Sequence, residues 1–350
     1  MNETPLSLAD AKAGTPAPHV GIVAVVGRTN AGKSTLVNKL LGEKVSIVSP
    51  VVQTTRSVIR GVLTEDRGQI VLLDTPGLHQ SRSLLGTEMN KRARATVKGA
   101  DAVLLLLDGS KAPQLEDEGW IRRLVRSEVP VYVFLNKADL SCREKTFRDL
   151  WDRCVAEDEA REAEAAAREA ARPADEKPAK PIPPWKRKGH AKRAPAPIAV
   201  PRWFVGSAAT GQGTGELVDA LFKNLPEGPL LFDGDTLTDY PQKLAVADII
   251  REKLFKLFHD ELPHSIGVQV DTVTKRDDGS MYVKGTVYVR KSNQKGIVLG
   301  EKGRTLRSAK RSSEAALKEF FGAETEVELW IRVEPDWDEN FFLLRQIGYC

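Results

Sequence analysis

The sequence predicts an α/β domain built on a mainly parallel sheet, followed by a smaller α+β domain. Three observations carry that expectation. Short runs rich in Val, Ile and Leu alternate with helical stretches between Val20 and Leu225, the pattern of a parallel sheet covered on both faces. Beyond a linker, the order of elements changes to helix, two strands, two helices and a strand. At 350 residues the chain also exceeds what a single core usually organises.

The elements follow in order. Residues 1–19 are small, polar and proline-bearing, which predicts a tail. Strands are expected at Gly21–Val26, Ile70–Leu73, Ala102–Leu107, Val131–Leu135 and Trp203–Val205, each too short for a helix. Helices are expected at Ser34–Leu41, Asp117–Ser127 and Gly215–Leu225, and a turn at Thr64–Gly68 joins two antiparallel strands at one edge. The first domain is thus placed at 20–228, the linker at 229–240 and the second domain at 241–350.

Inside the first domain, 150–198 reads as a low-complexity insert. Ala156–Arg172 is Ala, Glu and Arg with almost no apolar face, a solvent-bathed or partly frayed helix. Pro173–Pro197 is proline-rich with seven Lys or Arg against two acids, a composition that cannot build a core. In the second domain Leu244–Phe258 is an amphipathic helix, with Val246, Ile250, Leu254 and Phe258 on one stripe. Strands Ile266–Lys275 and Met281–Arg290 follow, joined by the hairpin-type loop Asp277-Asp278-Gly279-Ser280. A short helical piece near Gly296, a helix Thr305–Phe321 and a strand Glu326–Val333 complete it.

Composition narrows the class. Apolar residues at 41% and charged residues at 29% describe a soluble globular chain. The run Ala102–Leu107 is far too short to cross a bilayer, and no charged start leads into an apolar stretch before His19, which argues against a secretory signal. Cys142, Cys154 and Cys350 are scattered without metal-ligand spacing, as expected in a reducing cytoplasm. The net charge of +4 implies no nucleic acid by itself, but from Lys284 to Arg311 nine Lys or Arg face one acid, Glu301.

The strongest motif is Gly27-Arg28-Thr29-Asn30-Ala31-Gly32-Lys33-Ser34, followed by Thr35. It fits GxxxxGK[ST] between a strand and a helix, where backbone N–H groups and the helix start cradle phosphates. Lys33 is expected to reach the β- and γ-phosphates, and the Ser34 hydroxyl to ligate magnesium. Asp74-Thr75-Pro76-Gly77, followed by Leu78, ends the strand Ile70–Leu73; Asp74 can hold the magnesium shell and the Gly77 amide can sense the γ-phosphate. Asn136-Lys137-Ala138-Asp139 ends the strand Val131–Leu135. A carboxylate there accepts two hydrogen bonds from guanine, whereas adenine offers no such donor pair. Ser207-Ala208-Ala209 can present a backbone N–H to the guanine carbonyl. In Gln53-Thr54-Thr55-Arg56, Thr55 is the preferred third magnesium ligand. Lys33, Thr55 and Gly77 are the expected catalytic residues. Leu78 stands where some GTPases place a water-orienting glutamine, so intrinsic turnover should be slow or use another device. Asn30 is one such device, as a ligand of a monovalent cation.

In the second domain Gly300-Glu301-Lys302-Gly303 matches the GxxG loop of a KH module, which clamps about four nucleotides. Lys295, Lys302, Arg304, Arg307, Lys310 and Arg311 could contact phosphates, with Ile297 and Val298 as an apolar floor beneath the bases. A plain solvated helix with Ile297 and Val298 in the core is the competing account.

On GRTNAGKST, QTTR, DTPG, NKAD, SAATGQG, ELPHSIGVQV, GEKG and the ending VEPDWDEN…GY, the chain resembles the Era family of bacterial GTPases. The resemblance implies a P-loop GTPase domain followed by a type II KH domain. It implies GTP hydrolysis with magnesium and potassium stimulation through Asn30. It also implies a monomer maturing the small (30S) ribosomal subunit, binding the 3′ end of 16S rRNA and favoured on RNA by GTP. Peripheral contact with the inner membrane comes with the family, though no residue here demands it. The insert departs from the family. A GTPase of tRNA modification or membrane events, gripping protein with its C-terminal domain, and a non-hydrolysing nucleotide-gated scaffold are the rival readings.

Overall fold

The computed structural model describes residues 17–43, 45–46, 58–77, 84–170, 196–258, 262 and 265–349. A strand buried along its whole length needs cover on both sides, and β4 (Ala102–Asp108) and β5 (Val131–Asn136) are buried at every position. They lie inside a sheet with β1 (His19–Val26), β2 (Ile59–Glu65), β3 (Gly68–Asp74) and β6 (Arg202–Val205). The order is β2-β3-β1-β4-β5-β6, with only the β2–β3 pair antiparallel. One apolar cluster joins α1 (Lys33–Leu41) and α5 (Thr214–Phe222) to one face through Leu36, Val37, Leu217 and Leu221. On the other face, α2 (Leu84–Val97), α3 (Leu115–Leu124) and α4 (Glu144–Ala170) bury Ala93, Trp120, Ile121, Phe147 and Trp151.

Two boundaries differ from the sequence expectation. His19 belongs to β1 rather than to a tail: its N–H donates to the Arg67 carbonyl at 2.9 Å, and its ring Nδ1 lies 2.8 Å from the Leu225 carbonyl. The expected insert begins too early. Leu150, Trp151 and Cys154 are core residues of α4, and the following turns dock on α3 through Arg126, whose guanidinium lies 2.7 Å from Asp158 and 2.6 Å from Glu162. Buried Asp158 is held by this charge contact, which an apolar periodicity cannot reveal. The chain returns beside the same helix, Ala199 N–H donating to the Val125 carbonyl at 2.8 Å. Residues 171–195 lie outside the described residues.

The linker is pinned by a residue absent from every motif. Gln69, fully buried on β3, accepts from the N–H groups of Leu231 and Phe232 and donates to the Phe232 carbonyl, each at 2.9 Å. Beyond it come α6 (Gln242–Leu257), β7 (Gly267–Lys275), β8 (Met281–Val289), α7 (Ser292–Leu299), α8 (Arg304–Phe321) and β9 (Thr325–Val333). This is the expected helix–strand–strand–helix–helix–strand order. The sheet runs β7-β8-β9, antiparallel then parallel, and Ile250, Leu254, Val298, Ala309 and Leu317 cover one face. After β9, Trp337 and α9 (Phe341–Gln346) fold back, and Trp337, Leu344 and Ile347 cluster with Leu85 and Met89 of α2. The helix that follows the Asp74–Gly77 motif therefore touches the C-terminal tail.

Candidate nucleotide and RNA sites

Parallel strands end at one edge of the sheet, and that geometry collects the motifs. The phosphate loop leaves β1 and opens α1, whose first residue is Lys33. Asp74 closes β3 and Asn136 closes β5, in register with Asp108 at the end of β4. The stretch Ser207-Ala208-Ala209 begins two residues after β6. The structure thus brings together Gly27 to Thr35, Asp74 to Gly77, Asn136 to Asp139 and Ser207 to Ala209 at the strand ends. Thr55 and Leu78 lie outside the described residues.

Hydrogen bonds tie these loops to one another. Asn136 is buried; its Nδ2 donates to the Ala31 carbonyl and its Oδ1 accepts from Ala208 N–H, both at 2.8 Å. Ala138 N–H donates to the Gly206 carbonyl at 3.0 Å. Two of the three amides in the last motif are therefore engaged, Ser207 by the Gln212 carbonyl and Ala208 by Asn136. Asp139 stays exposed. Replacing Asn136 with Ala would orphan two buried partners, at about 1–3 kcal/mol each. The expected result is a melting temperature lower by several degrees, with weaker nucleotide binding, read by thermal unfolding and labelled-GDP titration.

Lys33 is buried and folds over its own loop, donating to the carbonyls of Gly27 at 3.2 Å and Arg28 at 2.9 Å. Burial pushes its amine down to about 8, with Asp74 opposing. Burial likewise raises the Asp74 carboxyl, against the pull of Lys33 and the Ser34 hydroxyl. Ser34 Oγ donates to Asp74 Oδ2 at 2.7 Å, while Asp74 Oδ1 is buried without a hydrogen bond. A hydroxyl beside a carboxylate with an unfilled acceptor is a hard-oxygen set, and it fits magnesium. Gly77 sits so close to Thr29 that a Cβ there would lie 2.6 Å from the Thr29 nitrogen. Two motifs 48 positions apart thus share one wall.

In the second domain the GxxG loop bends through Gly300, Lys302 and Gly303, with φ values of 71°, 50° and 75°. Lys295, Lys302, Arg307 and Arg311 are exposed and make no ion pair among the described residues. Arg304 pairs with Glu301, and Lys310 lies 3.6 Å from Glu314. The expected apolar floor needs correction. Ile297 is 54% exposed, but Val298 is fully buried in the core, and Leu299 at 41% takes the outer place instead. Neighbours on a helix point about 100° apart, so residue 298 faces the core while 297 and 299 flank it on the outer side.

Fold and site together define a P-loop GTPase joined to a KH domain. Along its length the chain is 34% identical to GTPase Era of Geotalea daltonii, over 95% of this chain and 98% of the relative. It is likewise 34% identical to GTPase Era of Geobacter metallireducens, over 94% and 97%. The chain belongs to the Era family of GTPases. A family model described as 50S ribosome-binding GTPase matches residues 22–137, and a KH-domain model matches residues 261–338. Among solved structures, an Aquifex aeolicus Era variant bound to GDP·AlF4⁻ superposes with a TM-score of 0.77 at 32% identity, covering 95% of this chain and 99% of that one. Era in complex with MgGDPNP and nucleotides 1506–1542 of 16S ribosomal RNA gives 0.76 at 32% identity, with the same coverage.

Proposed function

We propose that this GTPase binds the 3′ end of 16S rRNA through its KH domain and acts in assembly of the small (30S) ribosomal subunit, in the cytoplasm. The observation that carries the reading is the GxxG loop held between Lys295, Lys302, Arg307 and Arg311, exposed and without ion pairs among the described residues, on a domain joined to a phosphate-loop edge. The solved relative bound to nucleotides 1506–1542 of 16S rRNA supports the choice of RNA.

In the nucleotide site, Asp139 accepts from the two guanine donors, and the amides of Gly27–Lys33 surround the phosphates. The Lys33 amine turns from its loop carbonyls to the phosphate oxygens, whose negative charge favours its protonated form. Water attacks the γ-phosphate as the bond to the bridging oxygen of the β-phosphate breaks, and GDP leaves. The water's proton passes to the released phosphate, while Lys33 and the Gly77 amide stabilise the spreading charge. Bound magnesium would neutralise charge on the β- and γ-phosphates; Ser34 and Asp74 would hold it, with Thr55 as the sequence-derived third ligand. Asn30, at φ 59°, is the proposed potassium ligand.

Titration of an oligonucleotide of the 16S rRNA 3′ end against salt tests the RNA assignment. Affinity should fall with a log–log slope of about −0.7 per phosphate contact, near −3 for four contacts. A flat salt response would leave the protein-gripping alternative standing. Phosphate release compared in potassium and sodium chloride checks Asn30.

A further inference from the structure

Arg28 is a phosphate-loop residue whose side chain no step above uses. Its guanidinium turns away from the cradle into a socket of two carboxylates. Nη2 lies 3.2 Å from Asp108 Oδ2, and Nε lies 3.2 Å from Asp117 Oδ2. The arginine side chain is 14% exposed and both carboxylates are fully shielded. Asp108 closes β4, and Asp117 comes from the first turn of α3, where it also accepts from Gln114 N–H at 2.9 Å.

Asp108 has a second cationic partner. Lys137 Nζ donates to Asp108 Oδ2 at 2.8 Å, and the same amine donates to the Asn30 carbonyl at 2.9 Å. Residue 28 is meanwhile held from inside the loop, because its carbonyl accepts from Lys33 at 2.9 Å. Two cations and two carboxylates thus link the outer wall of the phosphate loop to the lysine of the base-reading motif. Bonds from Lys137 and Ser110 hold the Asp108 carboxyl below its ordinary value despite burial. Burial raises that of Asp117, opposed by the Gln114 amide and Arg28.

Stability does not account for this arrangement. Arg28 Nε, Arg28 Nη2 and Asp117 Oδ1 are buried without a directed hydrogen bond, and buried ion pairs so incompletely bonded add little or cost. What the socket does fix is place. It anchors the loop at Arg28, directly after Gly27, to Asp108, which pairs with Asn136 on the adjacent strand. We infer that Arg28, Asp108 and Asp117 are positioning residues, which hold the phosphate loop in its nucleotide-binding shape and tie it to the base-reading loop. The inference rests on the guanine-nucleotide assignment above.

The test is a double-mutant cycle on Arg28→Met and Asp117→Asn, with labelled GDP and a non-hydrolysable GTP analogue as probes. Each single change should weaken both nucleotides together by roughly tenfold, about 1.4 kcal/mol, through faster release from a less well held loop. Each single variant leaves a buried charge without its partner, so it should also melt several degrees lower, and affinity is read well below the melting range. The double variant should be no weaker than Arg28→Met alone, and Arg28→Lys should fall between Met and the native residue. Unchanged affinity in Arg28→Met, additive losses, or a lowered melting temperature at native affinity would each overturn the inference. Asp108→Asn is a further arm, and the cycle decides the question if that variant does not fold. Failure of the guanine assignment itself looks different, because the unmodified protein would then not prefer GDP over ADP.

Discussion

Replacing Asp139 with Asn should exchange guanine for xanthine preference, lowering GTP affinity by roughly a thousandfold while XTP becomes the better ligand. In the proposed site the carboxylate would accept from both the ring N–H and the exocyclic amine. Hydrogen bonds to charged groups contribute about 1.5–3 kcal/mol each, so losing two corresponds to a factor between roughly 10² and 10⁴. An asparagine amide sets a donor against a guanine donor, whereas xanthine carries a carbonyl where guanine has its amine. Asp139 is exposed at the end of β5, so the substitution leaves the core untouched. Competition of GTP, XTP and ATP against labelled GDP reads the outcome. A variant that still ranks GTP above XTP would remove Asp139 from the base site.

Gly303→Asp should abolish detectable binding of a 16S rRNA 3′-end oligonucleotide, a loss of at least about a hundredfold, and leave GTP binding intact. The position has φ 75° and caps α8. Aspartate is among the residues that tolerate that region best. Its Cβ would lie 2.9 Å from Arg307 Nη1, the far end of a flexible side chain, so the domain can absorb it. What cannot be absorbed is charge. A carboxylate would stand among Lys302, Arg304 and Arg307, the proposed seat of the phosphodiester, and like charges in close contact cost several kcal/mol. Gly322→Asp is the control, because that glycine has the same left-handed backbone at the other end of α8, with open space around it. RNA affinity within about threefold of native in Gly303→Asp would move the site elsewhere.

The nucleotide edge was legible because its motifs are local. GRTNAGKS, DTPG and NKAD each need a few consecutive residues, and strand alternation alone places them at one edge of a parallel sheet. The KH order was legible for the same reason. Errors arose where neighbours in sequence have different surroundings. Val298 and Ile297 share chemistry, yet one is core and the other surface. Leu150, Trp151 and Cys154 looked like the start of a polar insert because the Ala- and Glu-rich turns after them dominate the composition.

By itself, then, the sequence placed the phosphate-loop, Asp74–Gly77 and Asn136–Asp139 motifs at the ends of parallel strands and the GxxG loop between two helices. Backbone geometry near a glycine-rich turn follows from a short stretch of chain. Only the tertiary structure decided that Asn136 ties Ala31 to Ala208, that Gln69 pins the linker and that Arg28 enters a socket made by Asp108 and Asp117. These contacts join residues dozens to more than a hundred positions apart. A polar side chain carries no periodicity to announce its partner; its hydrogen bonds exist only once the fold has brought the other atom within 3 Å or so.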